Sequence, residues 1–405
     1  MTALLICGDT VLDLTDGVAA DIDLPGRVVP IREPNRVDAL TKALSVRLAG
    51  GVPVIGDDRW DATYWDGLRR RVESADPVPG MAWGTFTSGS TGAPRMIVRT
   101  ESSWSASFPA VAKLTDLTAE DVLYLPSPLV SSVTMFSIAH ARSIGATVLL
   151  PRTHSVSDAD LDRATVLHGT PYALRDFVER AEAGVPHRLR VALVGGARLD
   201  PELRSRAEAE GIRVIGYYGA AELSFVAVDP DGQGLRPFEG VELRVDDGVL
   251  WVRSEYFAGG YLGEGPFERD ADGWGTVGDL VDGDGRGPLR LRGRRDGAIL
   301  TAAATVVPED VEAALQRIDG IADAVVFALP HPRAGSLVAA VIEPEPGHRP
   351  PGSRELRVRA NALLTGTHRP RRWFWTERLP RTTTGKPARE QITRDAIEGR
   401  VARIV

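Results

Sequence analysis

Hydrophobic residues recur along the chain with two alternating spacings, one helical and one extended. Residues 36–48 place four apolar side chains on one face of a helix: Val37, Leu40, Leu44 and Leu48. Asn35 is suited to cap the start of this helix, and two glycines follow its end. Residues 52–55 then form an apolar run typical of a buried strand. This rhythm of strand, helix and strand predicts an α/β domain.

The same rhythm continues to about residue 240. Helical spacing predicts helices over residues 102–114, 135–143, 171–183 and 201–210. Short apolar runs between them predict strands over residues 122–125, 146–150, 191–194 and 214–218. Further on, short strands separated by turn residues predict a small β-rich subdomain, with strands over residues 241–244, 249–253 and 289–291.

Beyond residue 294 the pattern changes again. Pro308 stands at the start of a predicted helix, where proline is favoured. The remaining predicted elements are helices over residues 308–318 and 354–364, strands over residues 322–329, 336–343 and 372–375, and a terminal helix after a loop at 380–389. We therefore predict a small α+β domain from about residue 297 to the end.

Composition narrows the functional classes. A chain of 405 residues is expected to form two or three domains. The net charge of −7, with arginine interleaved among acidic residues, gives little support to nucleic-acid binding. Cys7 is the only cysteine, and the seven histidines lack metal-ligand spacing. Without a signal-peptide pattern or a membrane-length apolar run, the default is a cytoplasmic protein with no membrane partner.

The composition of residues 85–95 is compatible with a phosphate-binding loop. Residues 85–95 read TFTSGSTGAPR, and the segment from Thr87 to Gly92 contains only threonine, serine and glycine. Hydroxyls and successive backbone N–H groups can surround an oxyanion, and glycines permit positive φ. The same composition is typical of an exposed, flexible loop. The Walker spacing of a P-loop is not present. The loop alone leaves a phosphate cradle and a flexible linker as equal alternatives.

Later stretches join this loop in order: GYYGAAE (216–222), VGDL (277–280), GRRDG (293–297) and PRTTTGKPAR (380–389). Together they resemble the adenylate-forming superfamily of acyl-CoA synthetases, aryl-CoA ligases, peptide-synthetase adenylation domains and luciferases. LVGGARL (193–199) and LWVRSEYFAGGYL (250–262) support the resemblance, which runs from about residue 37 to 390.

The resemblance implies an α/β fold with a large N-terminal domain of mixed sheets, flanking helices and a small β-rich subdomain. It also implies a small, mobile α+β C-terminal lid domain. The implied boundaries are residues 1–295 and 296–405, with the hinge at Asp296. The glycine-rich loop comes early, so the N-terminal domain is shortened relative to the family, as in some o-succinylbenzoate ligases.

The resemblance further implies an AMP-forming ligase that uses ATP and Mg²⁺. A carboxylate would attack the α-phosphate of ATP to give an acyl-adenylate and pyrophosphate. A thiol, on CoA or on the phosphopantetheine arm of a carrier protein, would then take the acyl group and release AMP. The sequence leaves the oligomeric state open and is compatible with a homodimer.

Residue roles follow from the resemblance. Lys386, Glu222 and Thr87 would be catalytic, with Glu222 also binding Mg²⁺, a cation that prefers oxygen ligands. The other residues implied to contact the nucleotide are Ser88, Gly89, Ser90, Thr91, Gly92, Arg95, Gly196, Ala197, Tyr217, Tyr218, Gly219, Asp279 and Arg294. The acyl pocket would include Ser131, His168 and Gly195. Its mostly small or apolar residues predict an acid with an apolar or aryl body.

Each residue also has a plainer interpretation in isolation. Tyr218 could be a core tyrosine, Asp279 a turn aspartate, and His168 a structural histidine. Arg294 could form a surface ion pair of little energetic value. Lys386 could be a solvated loop lysine, but lysine occurs only at positions 42, 113 and 386, which favours a functional role.

Several positions depart from the family pattern. Arg95 replaces the usual loop lysine, keeping the charge but not the shape. Ser131 stands where the family often has a gating histidine, and Ala302 and Ala303 stand where many CoA ligases have glycines. Added methyl groups would crowd a narrow pantetheine tunnel. Three hypotheses follow: a CoA ligase, an acyl-AMP ligase that loads a carrier protein, and a catalytically idle nucleotide-binding relative.

Overall fold

The computed structural model describes residues 3–14, 24–60, 62–87, 95–152, 156–197, 199–285, 287–294, 297, 299–300, 305–331, 335–364, 368–382 and 385–404. The chain divides into two compact units. The first unit comprises Met1–Arg244, Trp251–Val277 and Gly285–Pro288. The second comprises Val245–Leu250, Gly278–Asp284 and Leu289–Val405. The domain boundary and hinge at Asp296 stay predictions, because Asp296 lies outside the described residues.

The helices are α1 (Arg36–Leu48), α2 (Ala62–Glu73), α3 (Ser102–Ser105), α4 (Phe108–Thr115), α5 (Ser132–Ile144), α6 (Asp158–Arg163), α7 (Pro171–Glu182), α8 (Pro201–Ala209), α9 (Pro308–Leu315), α10 (Ser353–Leu363) and α11 (Arg389–Ile397).

The strands are β1 (Leu4–Cys7), β2 (Thr10–Asp13), β3 (Val28–Ile31), β4 (Val52–Ile55), β5 (Trp83–Thr87), β6 (Arg95–Arg99), β7 (Val122–Tyr124), β8 (Thr147–Leu150), β9 (Val166–Gly169), β10 (Val191–Val194), β11 (Arg213–Ala220), β12 (Ser224–Asp229), β13 (Arg236–Pro237), β14 (Glu242–Asp246), β15 (Val249–Arg253), β16 (Gly260–Tyr261), β17 (Asp279–Asp282), β18 (Arg290–Arg294), β19 (Ile299–Leu300), β20 (Thr305–Val306), β21 (Ile321–His331), β22 (Gly335–Pro344), β23 (Arg372–Trp375) and β24 (Ala402–Arg403).

Two sheets form the framework of the first unit. One has nine strands in the order β13-β12-β11-β10-β9-β7-β8-β1-β2, and the other has five in the order β16-β6-β5-β4-β3. Strands β7 to β11 run parallel to one another, and β11 pairs antiparallel with β12 on its other side. Their apolar runs, such as Val191–Val194, are fully buried, as expected for parallel strands covered on both faces. The predicted α/β class is confirmed.

The first predicted helix shows how the local pattern becomes structure. α1 has the predicted bounds, and the side chain of Asn35 accepts a hydrogen bond from Val37 N–H at 2.8 Å. Leu40 and Leu44 are buried, each stabilising the fold by about 2 kcal/mol. Leu48 was predicted on the same face but is 56% exposed, because it occupies the last turn of the helix.

The prediction of one helix over residues 102–114 is wrong. The structure has two helices there, α3 and α4, separated at Ala106 and Ser107. Pro109 lies in the first turn of α4. In a continuous helix its ring would clash with the carbonyl of Ser105, and its missing N–H would break the hydrogen-bond ladder. The sequence analysis also assigned no element to α2, which buries Trp65, Leu68 and Val72 at helical spacing.

The second unit is a small α+β body, as predicted. Strands β21-β22-β23-β24 form a four-stranded sheet, and β19 pairs with β20. Its core combines strands β21 and β22 with helices α9 and α10, through residues such as Val311, Leu315 and Leu356. In the same unit β17 pairs antiparallel with β18, so that Asp279 lies opposite Arg294.

Candidate active site

Three parallel strands of the nine-stranded sheet end side by side. Gly169 of β9, Val194 of β10 and Gly216 of β11 lie level in the register. The carboxyl ends of parallel strands therefore meet at one edge, where open α/β sheets bind their ligands. The predicted site residues at this edge are His168, Gly195, Gly196, Ala197, Tyr217 and Tyr218.

The ring of Tyr217 lies over Gly195. A Cβ atom at Gly195 would lie 2.3 Å from Tyr217 Cζ, so only glycine is compatible with this ring. Tyr217 Oη is 3.1 Å from Nε2 of His168, so the tyrosine reaches from β11 across β10 to β9. The resemblance assigned Tyr217 to the nucleotide and the other two residues to the acyl group. The structure brings all three together.

His168 is held from both ring nitrogens. Its Nδ1 lies 2.7 Å from Ser137 Oγ, and that hydroxyl donates to the Val133 carbonyl at 2.8 Å. Because the hydroxyl has one proton, His168 Nδ1–H donates to Ser137, and Nε2 accepts from the hydroxyl of Tyr217. Burial lowers the pKa of His168 to about 3, and the nearby His140 adds to the shift. The imidazole is therefore neutral at physiological pH.

Ser131 precedes the helix that carries Ser137. It occupies the N-cap position of α5 with extended backbone and is half-buried. Helix α5 packs on strands β9 and β5, and so covers the part of the sheet that contains His168. Ser131 therefore lies at the end of the same helix whose side chains surround the imidazole.

Gly219 has a packing requirement of its own. It pairs with Phe225 of β12, next to a bulge in the register at Tyr218. A Cβ atom at Gly219 would lie 2.3 Å from the carbonyl oxygen of Ser224. The close return of β12 on β11 therefore requires glycine independently of any ligand. Tyr218 is buried. Its contact with adenine stays a prediction.

Strands β5 and β6 bring the two ends of the predicted phosphate loop together. Thr87 pairs with Arg95 across this hairpin. The guanidinium of Arg95 lies 3.3 Å from the ring centroid of Tyr261, and its Nε donates to Glu264 at 2.9 Å. The rest of the predicted cradle lies outside the described residues: Ser88, Gly89, Ser90, Thr91 and Gly92.

Glu222, the predicted Mg²⁺ ligand, is 7% exposed. The hydroxyl of Tyr261 donates to Glu222 Oε1 at 2.8 Å. Because the ring of Tyr261 also lies against the guanidinium of Arg95, one tyrosine joins the predicted metal ligand to the predicted loop cation. Sequence reasoning quoted the stretch that contains Tyr261 but gave this residue no role.

Arg99 is a further residue that sequence reasoning missed. It is 1% exposed and donates to the carbonyl of Ala221 at 2.9 Å and to that of Tyr256 at 3.0 Å. Its Nη1 also donates to Ser103 Oγ at 3.0 Å. Burial lowers the pKa of Arg99 to about 9, and the charge of Glu222 opposes that shift. Arg99 therefore holds the backbone directly before Glu222, and the available signal was an arginine ending an apolar strand.

The second unit contains the other predicted residues. Asp279 is half-buried and lies opposite Arg294 in the β17–β18 pair. Lys386 is exposed. Asp296 and residues 301–304, where the sequence departs from CoA ligases, lie outside the described residues, so their roles stay predictions.

Two features are absent from the part of the chain that the structure describes. No group of three or more His, Cys, Asp or Glu side chains there could hold a metal ion. Within the same ranges, no helix combines the length and apolar character needed to cross a membrane.

Comparison with known proteins identifies the family of this chain. Residues 29–262 match the model of the AMP-binding enzyme family, and residues 310–386 match that of the AMP-binding enzyme C-terminal domain. The chain belongs to the AMP-binding enzyme family.

Two curated relatives and one solved structure illustrate the similarity. A Mycobacterium tuberculosis CoA ligase for a methyl-dioxo-octahydroindenyl propanoyl group is 30% identical, over 84% of this chain and 73% of its own length. The uncharacterized acyl-CoA ligase YhfT of Bacillus subtilis is 27% identical, over 79% and 70%. A variant of E. coli MenE with bound OSB-AMS has a TM-score of 0.83 at 20% identity, covering 98% and 96%. At 20% identity, this structural similarity to MenE shows the fold alone.

Proposed function

We propose that this chain converts a carboxylic acid to its CoA thioester in two steps that use ATP. The chain is an AMP-forming acid–CoA ligase, since it belongs to the AMP-binding enzyme family and its relatives are acyl-CoA ligases. The observation that carries the site assignment is Tyr261, which donates to Glu222 while its ring lies against Arg95.

In the first step a carboxylate oxygen attacks the α-phosphorus of ATP. A new P–O bond forms, the bond to the β-phosphate breaks, and pyrophosphate leaves. The charge of the phosphates has to be stabilised during transfer, and oriented N–H groups, hydroxyls and cations do this. We assign this work to residues 87–92, to Arg95 and to Lys386, with Asp279 and Arg294 on the ribose and Tyr218 on adenine.

Glu222 would bind magnesium. Mg²⁺ is commonly held by one or two carboxylates together with substrate phosphates, so a single buried carboxylate fits the ion. The bound ion would neutralise phosphate charge. Tyr261 donates a hydrogen bond to Glu222 Oε1 and so would orient the carboxylate toward the ion.

In the second step the sulfur of CoA attacks the acyl carbon. A C–S bond forms, the C–O bond to AMP breaks, and the thiol gives up its proton. CoA is favoured over a carrier protein by the relatives, which are named as CoA ligases. With ATP and CoA as substrates, we place the protein in the cytoplasm.

The acyl group would lie against Tyr217, His168 and Gly195. These residues form a neutral surface, since burial keeps the imidazole unprotonated and raises the pKa of Tyr217. The ring of Tyr217 fills the space over Gly195 and so would limit the depth of the pocket. We propose an uncharged, apolar or aryl acyl body whose length Tyr217 limits.

Isotope exchange between pyrophosphate and ATP tests the activity directly. Label should enter ATP only when a matching carboxylic acid is added from a panel of aliphatic and aryl acids. No exchange with any acid, together with no binding of ATP, would favour the idle relative. Incubation of the active acid with CoA or with a pantetheinylated carrier protein then identifies the acceptor, and exclusive loading of the carrier would overturn CoA.

A further inference from the structure

The segment that carries Lys386 closes on itself. The N–H of Ala388 donates to the Pro380 carbonyl at 2.8 Å, and the N–H of Thr382 donates to the Lys386 carbonyl at 2.6 Å. Arg381 and Pro387 form an antiparallel bridge between the two sides. We call residues 380–389 the Lys386 hairpin; residues 383 and 384 lie outside the described part of the chain.

Arg381 anchors the first side of the Lys386 hairpin. Its Nη2 lies 2.8 Å from Asp323 Oδ2 and 3.4 Å from Glu343 Oε2, and its Nη1 donates to the Gly385 carbonyl at 3.3 Å. The two carboxylates belong to β21 and β22, and all three charged side chains are half-buried. One guanidinium therefore joins the hairpin to two strands and also bonds to the residue before Lys386.

Arg389 anchors the second side. Its guanidinium donates to both carboxylate oxygens of Glu312, with Nη1 2.5 Å from Oε1. Glu312 is 6% exposed and also accepts the N–H of Val326 at 2.7 Å. Glu309, one turn earlier on α9, lies 3.6 Å from the same guanidinium. The hairpin is thus joined to α9 and, through Glu312, to β21.

These ion pairs have a cost that stability alone does not explain. Glu312 is buried and the Arg381 cluster is partly buried, whereas the Arg389 side chain is 41% exposed. Removing charges from water is unfavourable, and both exposed and buried ion pairs often contribute little net stability. Paired guanidinium and carboxylate groups do, however, fix geometry through directional hydrogen bonds. Here they fix both ends of the hairpin, while Lys386 itself is exposed. A fixed backbone reduces the entropy that this lysine must lose when it engages a substrate.

We propose that Arg381 and Arg389 are positioning residues for Lys386, an inference that rests on the proposed function. By anchoring the hairpin to α9, β21 and β22, they present Lys386 for acyl-adenylate formation. They have no part in the transfer of the acyl group from the adenylate to CoA.

The test compares the two half-reactions in Arg381→Met and Arg389→Met. Adenylate formation is followed by pyrophosphate release, and thioester formation is followed from supplied acyl-adenylate and CoA. Misplacing a catalytic group by about 1 Å can cost ~100-fold in rate. We expect kcat for adenylate formation to fall by about 10- to 100-fold. The KM for ATP and the rate of thioester formation should stay near those of the unaltered chain.

Three controls separate positioning from loss of structure. Arg389→Lys keeps the charge and should recover part of the lost rate. Arg400 lies just beyond α11, is exposed, and places its Nε 2.7 Å from Asp395 Oδ1. Arg400→Met should change neither half-reaction. In a Lys386→Ala background, Arg389→Met should cause no further loss of adenylation, because a residue that acts through Lys386 has nothing left to position.

Several results would contradict a positioning role for Arg381 and Arg389. The proposal is overturned if Arg381→Met and Arg389→Lys each lose both half-reactions equally. It is also overturned if adenylate formation is unchanged in both Arg381→Met and Arg389→Met. A further loss from Arg389→Met in the Lys386→Ala background would also overturn it. If Lys386→Ala itself leaves adenylation intact, the assigned role of Lys386 in the proposed function fails, which is a distinguishable result.

Discussion

The two units hold their predicted catalytic charges in opposite ways. In the first unit Glu222 is buried, its side chain is bonded to Tyr261, and the backbone before it is held by Arg99. In the second unit Lys386 is exposed, and the arginine contacts are made by the hairpin around it. The Glu222 carboxylate is held by a hydrogen bond to its own atoms, whereas arginines on either side of Lys386 hold the backbone that carries the lysine.

This difference matches the tasks assigned to the two groups. A metal ligand has to offer its oxygen in one place, so burial and a fixed hydrogen bond suit it. A lysine that acts in only one of two half-reactions has to reach the substrate and leave again. An anchored backbone that carries an exposed lysine suits that task.

Within the first unit, removing the charge of Glu222 should give the largest effect. Glu222→Gln keeps the shape and can still accept from Tyr261, but it loses the anionic oxygen for Mg²⁺. We expect adenylate formation to fall by about 100-fold or more, with part of the loss recovered at higher magnesium. Pyrophosphate release measured over a magnesium titration checks this. Glu239→Gln, at an exposed ion pair with Lys113, is the control, and an unchanged magnesium dependence in Glu222→Gln would refute the assignment.

Replacing the buried arginine should disturb the same region through the backbone. Arg99→Met leaves the carbonyls of Ala221 and Tyr256 without their donor. We expect the free energy of unfolding to fall by about 3 kcal/mol, as for other broken buried hydrogen-bond networks. The KM for magnesium–ATP should rise as Glu222 loses its support. Urea unfolding together with steady-state kinetics measures both, and a destabilised variant with normal KM would limit Arg99 to a structural role.

The buried histidines give a pH dependence with a defined sign. Burial lowers the pKa of His140 to about 4 from an ordinary value of 6.5. Between these two pH values the unfolded chain binds more protons than the folded chain. The contribution of His140 to the free energy of unfolding is therefore complete above pH 6.5 and is lost as the pH falls toward 4. His140 alone should remove about 2 kcal/mol between pH 7 and pH 5.

Urea unfolding at these two pH values checks the sign and the size. In His140→Leu, the drop in the free energy of unfolding between pH 7 and pH 5 should be smaller by about 2 kcal/mol. In His348→Gln, which alters an exposed histidine, the drop should equal that of the unaltered chain. An equal loss in the unaltered chain and in His140→Leu would show that His140 is not the source.

The smallest effect should be a change in substrate length. Tyr217→Ala removes the ring over Gly195, so longer acids should gain about tenfold relative to short ones in adenylate formation. Tyr217→Phe keeps the ring and should keep the length preference. A panel of straight-chain acids measured by pyrophosphate release checks this. If the preference of Tyr217→Ala equals that of the unaltered chain, then Tyr217 does not limit the pocket.

Local pattern was sufficient for much of the fold. Helix α1 and strand β10 have the predicted bounds, because their signals, helical spacing with a cap and an unbroken apolar run, lie within the element itself. The break between α3 and α4 was also locally encoded, by Pro109, and was overlooked.

The contacts within the site could not be predicted in this way. Arg99 is 122 residues from Ala221, Tyr261 is 39 from Glu222, and Arg389 is 77 from Glu312. Such pairs depend on the tertiary fold rather than on local spacing. Motif order therefore identified Glu222 and Lys386 as candidates, while the residues that hold them became visible only in the structure.

The most direct test of the account is the Lys386→Ala variant measured in both half-reactions. Adenylate formation should fall by about 100- to 1000-fold and should not recover at high magnesium, in contrast to Glu222→Gln. Thioester formation from supplied acyl-adenylate and CoA should remain within about twofold of the unaltered chain, because the proposed role of Lys386 is confined to the step in which pyrophosphate leaves. Equal loss of both half-reactions, or an unaffected first one, would contradict the account.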